Sequence, residues 1–382
     1  MKMIHLSDLH IGRSLKECSL LEDQIDILKK IYDIIVKEKP DVVMIVGDIY
    51  DKAVPSTEAI QVVDDFLVKL TVLNLTIFII SGNHDSAERL SFGSRLMEKS
   101  KVYISPVYNG NISPITCEDD WGKVNFYLLP FIKPVHVRRF FPEEDIKTYT
   151  DAVRVAIKNM KMDTSQRNVL LTHQYITGAN RSDSEERSVG GLDNVDASVF
   201  NDIDYVALGH IHRPQDIGSE HIRYCGTPLK YSFSEAHDKK TVTVITMGKK
   251  NPQTKAVDMK VETRELTPLH DMDELKNSYD YLMLRDNYNN YKNREAYLHV
   301  TLTDDEEILN AYRKLKMIYP NILEIEYDNK RTRFSANLTK ISDLKNKTPL
   351  EIFEEFYNEQ NGSPLSREQK EYAEKLFQSV TL

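Results

Sequence analysis

Five short segments carry side chains that bind divalent metals: Asp8-Leu9-His10, Gly47-Asp48, Gly82-Asn83-His84-Asp85, Thr172-His173 and Gly209-His210-Ile211-His212. Imidazole nitrogens and carboxylate oxygens in this mixture suit manganese, iron or zinc. Asp8 and His10 are two apart, so on an extended chain they project from one face, and His210 with His212 repeats the spacing. Asp48 has two oxygens with which to bridge a pair of ions. Asn83 adds a neutral ligand that limits the charge. Two ions roughly 3.5–4 Å apart activate water for in-line attack on phosphorus. They also stabilise the charge that builds on the transferring phosphate. His84 follows Asn83 and is turned away from the ion Asn83 would hold. A free imidazole there fits contact with the phosphate or protonation of the leaving oxygen, and Asp85 is the candidate that orients its ring.

These segments must be brought together, since they span some two hundred positions. A lone histidine at a strand end is more often structural, and a lone Gly-Asp carries little. Agreement of type across five strand ends carries the inference. Each segment follows an apolar run, at residues 3–6, 42–46, 77–80, 169–171 and 205–208. Continuous apolar runs mark strands buried on both faces. Helical spacing of apolar residues over 20–37, 56–70 and 151–160 supplies the intervening helices. In such an α/β sheet the loops at the carboxyl ends of the strands gather on one edge, where ligands bind. His5, His136, His221, His237, His270 and His299 lack this context and read as surface or core residues.

The rest of the chain reads differently. Residues 220–265 alternate in polarity and predict antiparallel strands. Composition shifts at Thr267-Pro268, and 287–295 form a polar loop. Strand, helix and strand over 297–302, 306–317 and 322–327 make a small α/β unit, followed by a polar linker over 328–347. Thr348-Pro349-Leu350-Glu351 is a capping box with proline at the first helical position. Leu350, Phe353, Phe356 and Tyr357 form one stripe; after Gly362, Ser366 starts a second helix with Tyr372, Ala373, Leu376, Phe377 and Val380 on one side. Two such helices either fold back on the body or meet a partner.

The chain has 382 residues, more than one core usually serves. Its net charge of −9 argues against a generally basic nucleic-acid coat, although bound divalent ions would reverse the potential locally. Cys18, Cys117 and Cys225 are far apart, which argues against a disulfide framework or a thiolate zinc site and fits a reducing cytoplasm. Residues 1–6 are too quickly polar for a signal peptide. The longest apolar run, 75–80, is too short to span a bilayer, so no membrane is expected.

The five segments together resemble the calcineurin-like metallophosphoesterase superfamily. Asn83-His84-Asp85-Ser86-Ala87-Glu88-Arg89-Leu90 is similar to the bacterial SbcD family. So are Ser182-Asp183-Ser184-Glu185 with Val189-Gly190-Gly191, Tyr224-Cys225-Gly226-Thr227-Pro228 followed by Ser232-Phe233-Ser234-Glu235, and Pro349-Leu350-Glu351-Ile352-Phe353. The resemblance covers essentially the whole chain and is weakest over 270–345. It implies an α/β/β/α sandwich over 1–267, a small α/β capping domain over 268–340, and over 341–382 a helical region that binds the coiled coil of the SbcC ATPase. It implies a homodimer within a heterotetramer, in the nucleoid-associated cytoplasm. The implied activity is double-strand exonuclease and single-strand endonuclease, using two divalent ions with manganese preferred. Such a complex opens DNA hairpins and blocked double-stranded ends in repair, replication and recombination. By the family pattern Asp8, His10, Asp48 and His212 hold one ion. Asp48, Asn83, His173 and His210 hold the other, and His84 assists at the scissile phosphate. Archaeal and eukaryotic relatives carry a histidine shortly after the bridging aspartate. Here Ile49-Tyr50-Asp51 follows, so cleavage polarity is not carried over from them.

Two other readings compete. A small-substrate metallophosphatase or cyclic-nucleotide phosphodiesterase would use the same ligands, but the insertion over 178–195 and the extra C-terminal units favour a large substrate. A non-catalytic scaffold for the ATPase has no need of an intact ligand set. Lys133, Arg138, Arg139, Arg181 and Arg187 lie in loops from which they could meet phosphates, although charged loops are ordinarily just solvated.

Overall fold

Aliphatic and β-branched runs form the strands of the first part of the chain. These are β1 Lys2–Leu6, β2 Val42–Val46, β3 Thr76–Ile80, β4 Val102–Ile104, β5 Ile115–Asp119, β6 Gly122–Leu129, β7 Arg167–His173, β8 Tyr205–Gly209, β9 Gln215–Ile217, β10 Ser219–Tyr224, β11 Thr241–Lys250 and β12 Val257–Glu265. The structure is a computed structural model that describes residues 1–185, 193–329, 348–361 and 364–380. Val189-Gly190-Gly191, Arg187 and most of the expected linker lie outside the described residues. The chain divides into two units, Met1–Met272 and Asp273–Leu382.

The first unit holds two six-stranded sheets, ordered β12-β11-β1-β2-β3-β4 and β9-β10-β8-β7-β6-β5. β1 to β4 run parallel, and the β11–β12 hairpin adds to β1 antiparallel. In the second sheet β6, β7, β8 and β10 run parallel, with β5 and β9 antiparallel at the edges. The sheets pack face to face. Met44, Val46, Phe78 and Ile80 of the first meet Phe126, Leu128, Val169, Leu171 and Tyr205 of the second, with the Phe78 and Phe126 rings 4.6 Å apart.

Helices cover the outer faces. Helix α1 spans Leu21–Glu38 and α2 Thr57–Thr71. Ile45 and Ile79, on the other face of the first sheet, line a cavity of about 370 Å³ with Val63, Phe66 and Leu67 of α2. Helix α3, Tyr149–Met160, buries Ala152, Val153 and Ala156 in one cluster with Leu170, Val206 and Leu208. The starts and stops are local chemistry. Ser56 Oγ caps α2, Thr148 and Asp151 form a capping box on α3, and Lys39 ends α1 in the left-handed region just before Pro40. The result is the expected α/β/β/α sandwich.

Two features differ from the sequence reading. Residues 101–129, in which no element was expected, supply β4, β5 and β6. β4 is three residues long, and β5 interleaves charge as an edge strand, so neither shows a clear period. Within 220–265, β11 and β12 are antiparallel as expected, but β10 runs parallel to β8. Edge strand β9, over Gln215–Ile217, carries the chain back, so β10 enters beside β8 in the same direction.

The second unit has its own core. Strands β13 Met272–Asn277, β14 Tyr297–Leu302 and β15 Ile322–Tyr327 form one sheet, with β14 and β15 parallel across helix α4, Ala311–Lys316. Leu282, Leu298, Val300, Leu315, Tyr319 and Ile322 are buried together. The helix expected from 306 starts at Ala311, after Asn310 in the left-handed region. Helices α5 Pro349–Asn361 and α6 Arg367–Val380 follow. The Thr348 capping box is present, with Thr348 N 2.7 Å from Glu351 Oε2 and Glu351 N 3.3 Å from Thr348 Oγ1. Ser366 and Gln369 cap the second helix in the same way.

Candidate metal centre

The five segments meet at one rim of the sandwich, beyond the carboxyl ends of β1, β2 and β3 in one sheet and β7 and β8 in the other. Backbone bonds tie the loops together: Asp8 N donates to Gly47 O at 3.0 Å and His10 N to Asp48 O at 2.9 Å. Asp8, His10, Asp48 and His210 all have positive φ, of 52°, 45°, 49° and 101°. Non-glycine residues enter that region at a cost of order 1–3 kcal/mol and concentrate at functional sites. Gly47 has φ 80°, and a Cβ on it would lie 2.2 Å from His173 Nδ1. Glycine is therefore required for the His173 ring to reach the rim.

The side chains form two overlapping groups around Asp48. In one, His10 Nε2 lies 3.2 Å from His212 Nε2 and 3.6 Å from Asp48 Oδ2, and Asp8, His10 and His212 bring one ligand atom each within 4.8 Å of one another. In the other, His173 Nε2 lies 3.3 Å from Asp48 Oδ2 and 3.1 Å from Asn83 Oδ1, and His210 Nδ1 lies 2.9 Å from the same Asn83 oxygen. Asp8, Asp48 and His173 form a second cluster of ligand atoms, and His10, Asp48 and His84 a third. Asp8, His10, His173 and Asp48 are all at or below 2 % exposure.

The protons show where positive charge sits in this arrangement. His173 Nδ1 faces the carbonyl of Val46 at 2.9 Å. A carbonyl only accepts, so Nδ1 carries a hydrogen, and with the ring held protonated Nε2–H also donates, to the Asp48 and Asn83 oxygens. Buried carboxylates here require a positive charge, which a proton on His173 supplies and a divalent ion would replace. Burial pulls the His173 imidazole down, but the Asp48 carboxylate outweighs it and raises the group to about 9. Burial pushes Asp8 up to about 6 against the pull of His173 and His212. His10 and His210 are driven well below the usual imidazole range by burial. Neutral imidazoles, carboxylates and an amide oxygen facing one point fit a pair of divalent ions.

His84 stands at the edge of this group. Its Nδ1 donates to the carbonyl of Asp51 at 2.9 Å, which puts the ring's lone pair on Nε2, 3.9 Å from Asp48 Oδ2. The His84 backbone N–H donates to Asp48 Oδ1 at 2.9 Å. Asp85, expected to orient the His84 ring, accepts instead from the backbone N–H groups of Ile49, Tyr50 and Gly82 at 2.9–3.1 Å. It pins the β2 loop to the β3 loop, and the ring-orienting contact comes from the Asp51 carbonyl. The reason is competition: both Asp85 oxygens are taken up by backbone N–H groups, two from the β2 loop and one from its own. Burial, then the Asp48 charge, pushes Asp85 up to about 6.

Several polar residues near the centre were not singled out for a role by the sequence. Ser184, Glu185, Glu235 and Lys240 surround His212. Arg13 pairs with Asp51 at 3.2 Å, lies over Tyr231 and donates to Ser184 O. Ser184, Glu185 and Glu235 lie in segments similar to the SbcD family, whereas nothing in the sequence marks Arg13 or Lys240. Among the basic loop residues, Arg181 pairs with Asp193 at 3.0 Å and stacks on Tyr175, while Lys133, Arg138 and Arg139 are exposed.

Comparison with known proteins agrees with this geometry. Residues 1–214 match the family described as calcineurin-like phosphoesterase, and residues 268–361 match one described as type 5 capsule protein repressor C-terminal domain. A protein from Staphylococcus saprophyticus, named as the SbcD component of the SbcCD nuclease, is 33% identical over 388 residues, covering 100% of this chain and 98% of that protein. Its namesake from Staphylococcus epidermidis is 33% identical over 384 residues, covering 100% and 99%. A dimetal phosphatase structure from Danio rerio matches at 11% identity and a TM-score of 0.37, over 70% of this chain and 98% of that one, too remote to add to the argument. No helix among the described residues is long and apolar enough to cross a membrane. The full-length identity and the phosphoesterase match together place the chain in the SbcD family of calcineurin-like phosphoesterases.

Proposed function

We propose that this chain is the nuclease subunit of an SbcCD-type complex and hydrolyses DNA phosphodiesters at a two-ion centre. The observation that carries the reading is the buried clustering of potential ligand atoms of Asp8, His10, Asp48, His173 and His212, with the Asn83 oxygen beside them, an arrangement suited to cations. Asp8, His10, Asp48 and His212 would hold one ion; Asp48, Asn83, His173 and His210 would hold the other. Manganese suits this mixture of nitrogen and oxygen ligands. When bound, such ions polarise the phosphodiester and lower the pKa of water. His84 keeps its Nδ1 hydrogen on Asp51 and its lone pair on Nε2, a state suited to contacting the phosphate or, once protonated, supplying a proton to the leaving oxygen. Asp85 fixes the loop that carries His84. Helices α5 and α6 pack through Phe353 and Phe377 but leave Phe356 and Tyr372 exposed. That supports a surface for the coiled coil of an SbcC ATPase, and the chain would act as a dimer within that assembly.

The test is a manganese-dependent assay on hairpin-ended duplex DNA, with and without the ATPase partner and nucleotide. Wild type should cut, and His84→Gln should lose on the order of 10²–10⁴-fold in rate while still binding metal. Equal rates would remove His84 from the chemistry. No cleavage by wild type, even with partner and nucleotide, would end the nuclease reading.

A further inference from the structure

His212 is gripped at three points by residues outside the ligand set. Its backbone N–H donates to Glu185 Oε1 at 2.8 Å. Its carbonyl accepts from Lys240 Nζ at 2.9 Å. Its ring Nδ1 lies 2.5 Å from Ser184 Oγ. Ser184 Oγ also contacts Glu235 Oε1, and Glu235 Oε2 pairs with Lys240 Nζ at 2.5 Å. Glu235 and Lys240 are 0 % and 3 % exposed. Lys240 completes its donor set on Thr227 Oγ1 at 2.8 Å.

The hydrogens in this chain of contacts are determined by chemistry. A carboxylate can only accept, so the single Ser184 hydroxyl hydrogen is drawn toward Glu235. The alternative acceptor, Ser182 Oγ at 2.8 Å, also points away from the histidine. Ser184 then meets His212 with a lone pair, and the geometry favours His212 Nδ1 as the donor, with Glu235 Oε1 itself 3.8 Å from that nitrogen. That leaves the His212 lone pair on Nε2, aimed at His10 Nε2 across 3.2 Å, the side where an ion would sit. A metal-ligating histidine commonly gives its second N–H to a carboxylate. Here a serine is interposed. The carboxylate behind it is neutralised by a buried lysine, so the pair adds no net charge beside the centre.

We propose that Ser184, backed by the buried Glu235–Lys240 pair, is a positioning residue that sets the tautomer and ring direction of His212 for the ion on that side. This rests on the two-ion reading of the centre. The residues involved come from three separate loops, so the device ties the 182–185 segment and the 233–240 segment to one ligand.

The experiment uses full-length protein. In ¹⁵N-histidine spectra of chelator-treated wild type, with His212 assigned through His212→Gln, Nδ1 should be the protonated nitrogen. Ser184→Ala should shift that population toward the other tautomer, and Ser184→Thr, which keeps the hydroxyl, should restore it. In Mn²⁺ titrations followed by electron paramagnetic resonance, wild type should take up two ions. Ser184→Ala should weaken one of them about 10–100-fold and spare the other, with its thermal midpoint close to wild type. A wild-type His212 protonated at Nε2, or both ions retained at wild-type affinity in Ser184→Ala, would overturn the positioning role alone. Failure of wild type to bind Mn²⁺ would overturn the two-ion reading and the proposal with it, and is visible without any variant.

Discussion

Strand β7 begins at Arg167 and ends at His173, and its two ends bury charge in opposite ways. At the amino end Arg167 is 2 % exposed. Its guanidinium meets Asp119 through both nitrogens and donates to the carbonyls of Gly122 and Gly248 at 2.7 and 3.1 Å. The Met1 amino group joins from the other side, 2.5 Å from Asp119 Oδ2 and 2.9 Å from Met247 O. Donors there meet acceptors within the chain. At the carboxyl end, His173 Nε2 faces oxygens of Asp48 and Asn83 among further imidazoles and carboxylates, and the balancing charge is an exchangeable proton on His173. A buried polar cluster that satisfies itself is structural. One balanced only by a proton that a metal ion can displace is a candidate binding site.

That contrast can be broken by mutation at either end. The largest effect should come from Asp48→Asn, which removes the carboxylate shared by both ligand groups. Hydrolysis should fall by on the order of 10³-fold or more, while the thermal midpoint measured in chelator moves little. Substantial activity in that variant would place the chemistry elsewhere. Arg167→Met should do the reverse. Breaking a buried ion pair from one side destabilises by about 3–5 kcal/mol, read from urea unfolding, yet the number of ions bound by the folded protein should not change. Loss of metal with an intact fold would show that the two clusters are coupled along β7.

Adding metal sharpens the comparison. Divalent ion at a hundred times its dissociation constant should stabilise wild type and Arg167→Met alike, by about 2.7 kcal/mol for a single site. Asp48→Asn should gain little. Equal stabilisation of all three would mean that the ions bind away from the rim. The smallest effect is on pH. Burial pushes the Asp119 carboxyl up, but hydrogen bonds from Arg167, the chain amino group and the Trp121 N–H outweigh it and hold it well below its ordinary value. Its folded pKa is therefore lower than its unfolded one, near 3.9. The stability it contributes is present above about pH 4 and is lost as pH falls below that. Chelated wild type should lose stability on acidification from about pH 4 more steeply than Asp119→Asn. Parallel curves would remove this ion pair from the acid limb.

The two ends of β7 were not equally legible. His173 could be read because its Thr172-His173 segment joins four others of matching type. Arg167 was invisible, since its partners Asp119, Gly122 and Gly248 lie on other strands. Two of those strands, β5 and β6, had not been anticipated. The terminal helices were readable to the residue at Thr348 and Ser366, because a capping box is a contact between neighbours in sequence. The role of Asp85 was misjudged for the opposite reason. Its proximity to His84 in sequence pointed to the ring, but its carboxylate turns to backbone groups of the β2 loop.

By itself the sequence determined the five buried strands that end at the site, helices between them and the residue types at each of those strand ends. Those follow from hydrophobic period and from metal-ligand chemistry, which are properties of residue type and spacing. Only the tertiary structure decided the left-handed backbone at Asp8, His10, Asp48 and His210, and the carbonyl that orients His84. It alone decided the link from Glu235 through Ser184 to His212, across sequence separations of 51 and 28. The physical reason is that a hydrogen bond forms where loops from stacked sheets converge, and that convergence is settled by packing of the two inner faces, not by any local period.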